Sequence, residues 1–236
     1  DAATFFVSAL LVSQIRLGAI SDKLRANAVG VIGQYVEGLA YLARNPDVLA
    51  IAMHKSALTL LFGTTLRVVH ATAADRFFPT GEQGGIAMGL MFAAAGMGTG
   101  FGPLAARRFT ADVESRLRWA IVSGYVIGGF GLVVSAQLSS FEVMIVGAFL
   151  AGIGNGILWV FSSQLLLQIV PGNIRGRVFS NEFASFTLVS AFGSVATGLA
   201  LDSPMGISGV LTTMAILTMV PAASWCLWLV YRNKAS

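Results

Sequence analysis

Two ionisable residues, Lys55 and Glu182, sit in stretches of the chain otherwise built from apolar and small residues. Lys55 lies within Ile51-Ala-Met-His-Lys-Ser-Ala-Leu-Thr-Leu-Leu-Phe62, and Glu182 lies within Phe179-Ser-Asn-Glu-Phe-Ala-Ser-Phe186. Lys55 stands about two turns into its stretch if that stretch is helical, and Glu182 begins the 178–201 stretch at similar depth on the same side. A charge so placed is costly unless it is paired or wetted. Three kinds of chemistry are open to such residues. Lys55 can hold an anionic group of a ligand, the two can form an ion pair that gates, or Glu182 can take up and release a proton. Plainer readings stand beside these. The lysine stem can reach back toward the headgroups, and an acid near a helix N-terminus is favoured by the helix dipole. If the two pair, neutralising one should do more harm than neutralising both.

A second set of polar residues lies on one apolar segment. Asn155, Trp159 and Ser162 follow i, i+4, i+7 spacing and share a helix face, and Gln164 and Gln168 form another i, i+4 pair. Such a stripe faces protein or water rather than lipid. It can touch a substrate, or it can bond neighbouring helices at about 1 kcal/mol per hydrogen bond. Arg67 and His70, near the end of their segment, are expected at the interface. The remaining chemistry-bearing residues point away from catalysis. His54 and His70 are about four turns apart on one segment, and Cys226 is the single cysteine, so neither a metal site nor a disulfide framework is expected. No helix carries paired carboxylates, or a nucleophile beside a base, within the apolar core, and no glycine run ends in the Gly-Lys-Ser/Thr of a phosphate loop. An enzyme and a bound cofactor are therefore not expected.

The elements that position these residues follow from composition. The 236 residues are 56% hydrophobic and 11% charged, with a mean hydropathy of +0.77. Soluble domains carry about 25% charged residues, so a chain this apolar needs a bilayer as its solvent. Six stretches reach the roughly 20 residues of a spanning helix: 47–70, 85–106, 118–138, 142–169, 178–201 and 207–231. Residues 1–15 are too short to span and read as the end of a helix begun upstream. They carry no basic region ahead of the apolar run, which argues against a signal peptide. Turn chemistry separates the spans at Pro79-Thr-Gly81, Ser139-Ser140, Pro171-Gly172-Asn173 and Asp202-Ser-Pro204.

Charge placement orients the scheme. With alternate crossings, one side collects Arg16, Lys23, Arg25, Arg44, Arg107, Arg108, Arg116, Arg118, Arg175, Arg177, Arg232 and Lys234, twelve of the 15 basic residues. By the positive-inside rule that side is cytoplasmic, and the C-terminal tail 232–236 lies there. The net charge of +4 is spread over short loops rather than gathered in a patch, so nucleic acid is not an expected partner. Trp225, Trp228 and Tyr231 suit an interfacial aromatic belt. Residues 16–46 form a linker in which Val29, Ile32, Tyr35, Val36, Leu39 and Leu42 recur at helical spacing. That is an amphipathic helix, lying on the membrane surface or binding a partner. Small residues at Gly96/Gly100, Gly98/Gly102, Ala148/Gly152/Gly156 and Ser190/Ser194/Gly198 allow close helix packing.

Two runs carry a family resemblance. Glu37-Gly-Leu-Ala-Tyr-Leu-Ala-Arg-Asn-Pro46 resembles the exit of the central loop of the major facilitator superfamily, and Val170-Pro-Gly-Asn-Ile-Arg-Gly-Arg-Val-Phe179 resembles its loop between helices ten and eleven. The branch it looks most like holds enterobactin-type siderophore exporters and macrolide efflux proteins. The resemblance implies an all-α membrane fold, the C-terminal six-helix lobe with 3+3 inverted repeats. It implies a cavity lined by 47–70, 85–106, 142–169 and 178–201, with 118–138 and 207–231 outside. It also implies secondary transport by alternating access in the cell membrane, with proton-coupled export of a small amphipathic compound. The partners it implies are the bilayer, an N-terminal half of the same transporter, the substrate and protons. A scaffold or sensor on the same fold is the competing expectation. The family's conformational lock, Gly-x-Leu-Ala-Asp-Arg, resembles Gly102-Pro-Leu-Ala-Ala-Arg107-Arg108, where Ala106 replaces the aspartate, so the acidic partner of Arg107 and Arg108 is expected to be missing. Arg175 and Arg177 are the lock candidates in the later loop.

Overall fold

The computed structural model describes residues 2–14 and 30–235. All regular structure among them is helical. Helix α1 spans Ala2–Ser13 and α2 spans Val31–Arg44. Six helices then follow that are long and apolar enough to cross a membrane: α3 Pro46–Arg76, α4 Gly85–Thr110, α5 Glu114–Ala136, α6 Phe141–Ile169, α7 Gly172–Leu201 and α8 Gly206–Ala235. These fit a multi-pass membrane protein.

The boundaries have local causes. Pro46 opens α3 at its first turn, where a missing N–H costs nothing. Ser140 caps α6, its hydroxyl accepting from the Val143 amide. Between α3 and α4, Gly84 adopts a left-handed φ of 72°, and a side chain there would collide with the Ala74 carbonyl. Several boundaries differ from the sequence reading, three of them instructively. Helix α3 runs to Arg76 rather than ending near residue 70, because Ala71–Asp75 continue the helical pattern past the apolar core. Helix α7 begins at Gly172, so residues read as a ten-residue loop are mostly its first two turns and the turn proper is Val170-Pro171. Helix α5 begins at Glu114, which contributes an acid to its first turn.

Helix α3 is interrupted in its middle. Residues Thr59–Thr64 wind as a π-helix, and the Thr65 hydroxyl donates to the Leu60 carbonyl at 2.7 Å. Such bulges cluster at functional sites because they widen the turn and re-aim side chains.

Helix α6 lies centrally, packed on α4, α5 and α3, while α8 covers α5 and α7 packs on α3. Glycines set the closeness. Side chains at Gly98 or Gly152 would collide with the carbonyls of Phe149 or Ala95 across α4–α6, and side chains at Gly131 or Gly154 would collide with the Ala151 amide or the Gly124 carbonyl across α5–α6. The overlapping pair Gly96 and Gly100, by contrast, faces open space.

Of the linker, Val31–Arg44 is described, and most of 16–30, including Val29, lies outside the described residues. Helix α2 packs on the start of α7, where Gly38 is pressed against Arg177 and Asn181. Leu42 is buried, whereas Ile32, Tyr35, Val36 and Leu39 stay exposed along one side. The amphipathic stripe is therefore turned away from the bundle.

Candidate functional site

Lys55 of α3 and Glu182 of α7 meet. The Lys55 ammonium donates to Glu182 Oε2 at 2.9 Å, and both residues are almost fully buried. Counted along their helices from Pro46 and Gly172, they lie roughly 14 and 15 Å in at 1.5 Å per residue. The lysine thus turns inward to an acid and does not stretch toward a surface. Two aromatic faces complete its surroundings, Trp159 of α6 at 5.0 Å and Phe179 of α7 at 5.4 Å from the ammonium. Such contacts suit a cation removed from water. Glu182 Oε1 has no hydrogen-bond partner, so the carboxylate retains unused accepting capacity.

The pair heads a ladder of polar contacts between the same two helices. Ser56 and Ser185 hydroxyls meet at 2.9 Å, Thr64 donates to Ser190 at 3.2 Å, and Thr65 and Thr197 hydroxyls lie 3.3 Å apart. Beside it run two adjoining grooves. One, of about 530 Å³, lies between α3, α6 and α7 and is lined by Thr59, Gly63, Thr64, Trp159, Phe186 and Ser190 among others. The other, of about 230 Å³, lies between α3, α4 and α6 and includes His70, Phe92 and Thr99. Gly63, Arg67 and Asn155 belong to both. Neither groove takes a residue from α5 or α8.

The polar stripe on α6 divides. Asn155 and Trp159 face the grooves, but Ser162 is fully buried and its hydroxyl donates to the Trp159 carbonyl, so it belongs to helix packing. The seventh residue along has rotated past the cavity wall. His70 is buried at 1% exposure with both ring nitrogens unpartnered and its ring edge-on to Phe92.

At the basic end, Arg107 does have an acidic partner. Asp112, in the turn between α4 and α5, accepts from Arg107 at 2.9 Å and from the Gln164 amide at 2.8 Å, while Gln168 donates to its backbone carbonyl. The Gln164 hydrogen bond, followed by Arg107, holds the Asp112 carboxyl below the usual aspartate range. The acid was missed because it follows the arginine by five residues instead of preceding it. Arg108 is exposed. Gly102 is a packing residue, since a Cβ there would stand 2.6 Å from the Ile153 carbonyl oxygen. Arg175 caps the end of α6 by donating to the Val170 carbonyl, and Arg177 pairs with Glu37 of α2. Among the lock candidates, then, each bonded arginine ties a different pair of elements.

One cluster was not anticipated. Arg118 is buried and donates in bidentate fashion to Asp47 at 2.7 and 2.8 Å and to Glu114 at 2.8 Å, while Arg232 donates to Asp47 at 2.8 Å. Two cations and two anions thus tie the starts of α3 and α5 to the end of α8. Trp225 and Trp228 stack on each other beside Arg118, and Trp225 is buried and donates to the Arg118 carbonyl. Tyr231 is exposed as an aromatic belt requires, but Trp225 is a core residue.

No group of three or more His, Cys, Asp or Glu side chains arranged to hold a metal occurs among the described residues. Comparison with protein-family models, curated proteins and solved structures finds no match to this chain.

Proposed function

We propose that this chain is the C-terminal lobe of a secondary active transporter of the major facilitator kind. It works by alternating access against an N-terminal lobe and moves a small amphipathic compound, siderophore- or drug-like, outward in exchange for protons. On this reading the basic end faces the cytoplasm of the cell membrane. The observation that carries the proposal is the division of labour among the helices. The polar grooves and the buried Lys55–Glu182 pair lie among α3, α4, α6 and α7, whereas α5 and α8 contribute to neither groove. A lobe that contributes half of a translocation path needs such an asymmetry. A scaffold gains nothing from polar side chains held in open grooves inside an apolar bundle.

The pair supplies a bistable element. With Glu182 charged, Lys55 ties α3 to α7. A proton on Glu182 weakens that tie and lets the ladder below it separate, which couples proton occupancy to the opening of the groove. The test uses the whole transporter in proteoliposomes with a trapped pH dye and a panel of siderophore-like and drug-like compounds. Compound-dependent proton movement that is lost in Glu182→Gln supports the reading. Absence of proton movement with every compound favours a scaffold or sensor.

A further inference from the structure

We infer that the junction of the two grooves is an anion subsite, and that the ligand of this site is an aromatic or amphipathic compound with a carboxylate-like head. The inference rests on the transport reading for its setting, but its physical content is local. Arg67 lies on the wall shared by both grooves and has neither an ion-pair nor a hydrogen-bond partner among the described residues. Asn155, on the facing wall, likewise makes no hydrogen bond. His70, one turn beyond Arg67, is buried, lines the adjoining groove and has two unpartnered ring nitrogens. No Asp or Glu lines either groove. Three polar side chains with unspent hydrogen bonds therefore gather at one place without an acid to satisfy them.

Lys55 is not available for this role, because Glu182 already holds it. The free positive charge of the grooves is that of Arg67. Arg67 is exposed on the groove wall, and a guanidinium so placed attracts a planar oxyanion, which it can bind through two parallel N–H donors. The backbone leaves room for the head. Gly63, in the π-helical turn directly before Arg67, has nothing nearer to a would-be Cβ than Thr59 Cγ2 at 4.0 Å, and at Gly96 across the groove a Cβ would meet nothing. The apolar body of the ligand has its own seat, since Trp159 and Phe186 stand edge-on to each other on the wall of the larger groove, with ring centres 5.4 Å apart. A ring that slots against them leaves its charged end at Arg67.

Three probes with one ring system test the assignment: 2-naphthoate, 2-naphthamide and 2-naphthylmethylammonium, titrated against the purified full chain by quenching of tryptophan fluorescence. The expected order is carboxylate tightest, with about tenfold or greater preference over the amide, and the ammonium weakest. Arg67→Gln should remove the preference for the carboxylate without altering the thermal melting profile, and Arg67→Lys should restore part of it. Trp159→Ala should weaken all three probes together. Equal binding of the three probes by the parent protein overturns the inference, even if Arg67→Gln fails to fold, and so does an Arg67→Gln protein that keeps the full preference. The transport reading fails separately. Arg67-dependent naphthoate binding without proton movement in proteoliposomes removes transport and keeps the anion site. Proton movement driven by cationic compounds and indifferent to Arg67 does the reverse.

Discussion

The two sides of the bundle are joined by different physics. On the α4–α6–α5 side, glycines bring backbone against backbone, and added side chains at Gly98, Gly131, Gly152 or Gly154 would run into main-chain atoms of the next helix. On the α3–α7 side the helices meet through side chains, with one ion pair above three hydroxyl contacts and two grooves close by. A backbone seam has one close-packed arrangement and loses dispersion contacts with any displacement. A polar interface can separate if water or a ligand takes over its hydrogen bonds. The difference implies that α4, α5 and α6 move as a unit and that α7 is the helix free to shift.

The largest expected effect breaks the seam. Gly154→Val places branched carbons into the Gly124 carbonyl and Gly128 backbone, which no rotamer avoids. Overpacking of this kind costs on the order of 3 kcal/mol or more, and size-exclusion chromatography in detergent should recover little monodisperse protein. A normal yield and melting temperature would mean that α5 and α6 are not held by backbone contact. Next comes the ion pair. Lys55→Met leaves Glu182 buried and alone, and Glu182→Leu leaves Lys55 so, each at about 3 kcal/mol. The double variant should recover most of that loss in thermal unfolding, because two apolar groups replace two charges. Additive losses in the double variant would show that the pair is not coupled.

Much of this comparison is legible in the sequence, and the remainder is hidden for identifiable reasons. The six spans follow from run length and hydropathy, and Lys55 and Glu182 stand out because charged types are costly there. Their pairing is legible because each needs a partner of opposite sign at similar depth. Asp112 escaped because the acid was sought ahead of Arg107, where the resembled lock keeps it, whereas the chain folds back through a left-handed turn at Ala111 and Asp112 and supplies the acid from behind. Arg118 escaped because a basic residue at the edge of an apolar run reads as a topology marker, and only the fold carries Asp47 and Glu114 to it. The π-helical turn at Thr59–Thr64 leaves no periodic signature, since a single extra residue shifts the helix phase without changing composition. Trp225 near a helix end has the composition of a belt residue, and its burial depends on where α5 lies.

Smaller effects refine the contrast. Asp112→Asn removes the ion pair with Arg107 that ties the α4–α5 turn together, and weakens the bond from Gln164 of α6. Because the folded carboxyl titrates below the ordinary aspartate value of 3.8, its contribution is fully present above that value and is lost as pH falls through the depressed one. The parent and Asp112→Asn melting temperatures should therefore converge in acid and separate near neutrality, and a constant gap across that range would show that the carboxylate charge is not what matters. The smallest effect is also the most local. Gly96 and Gly98 are neighbours in one small-residue pattern, yet two residues on a helix point about 200° apart. Gly98 is pressed against Phe149, while Gly96 opens onto a groove. Gly96→Ala should leave stability unchanged or raise it by about 0.5 kcal/mol through helix propensity, whereas Gly98→Ala should lower it by about 1 kcal/mol or more. Equal melting shifts for the two would mean that α4 is free to rotate on α6, and the rigid unit would then shrink to α5 and α6.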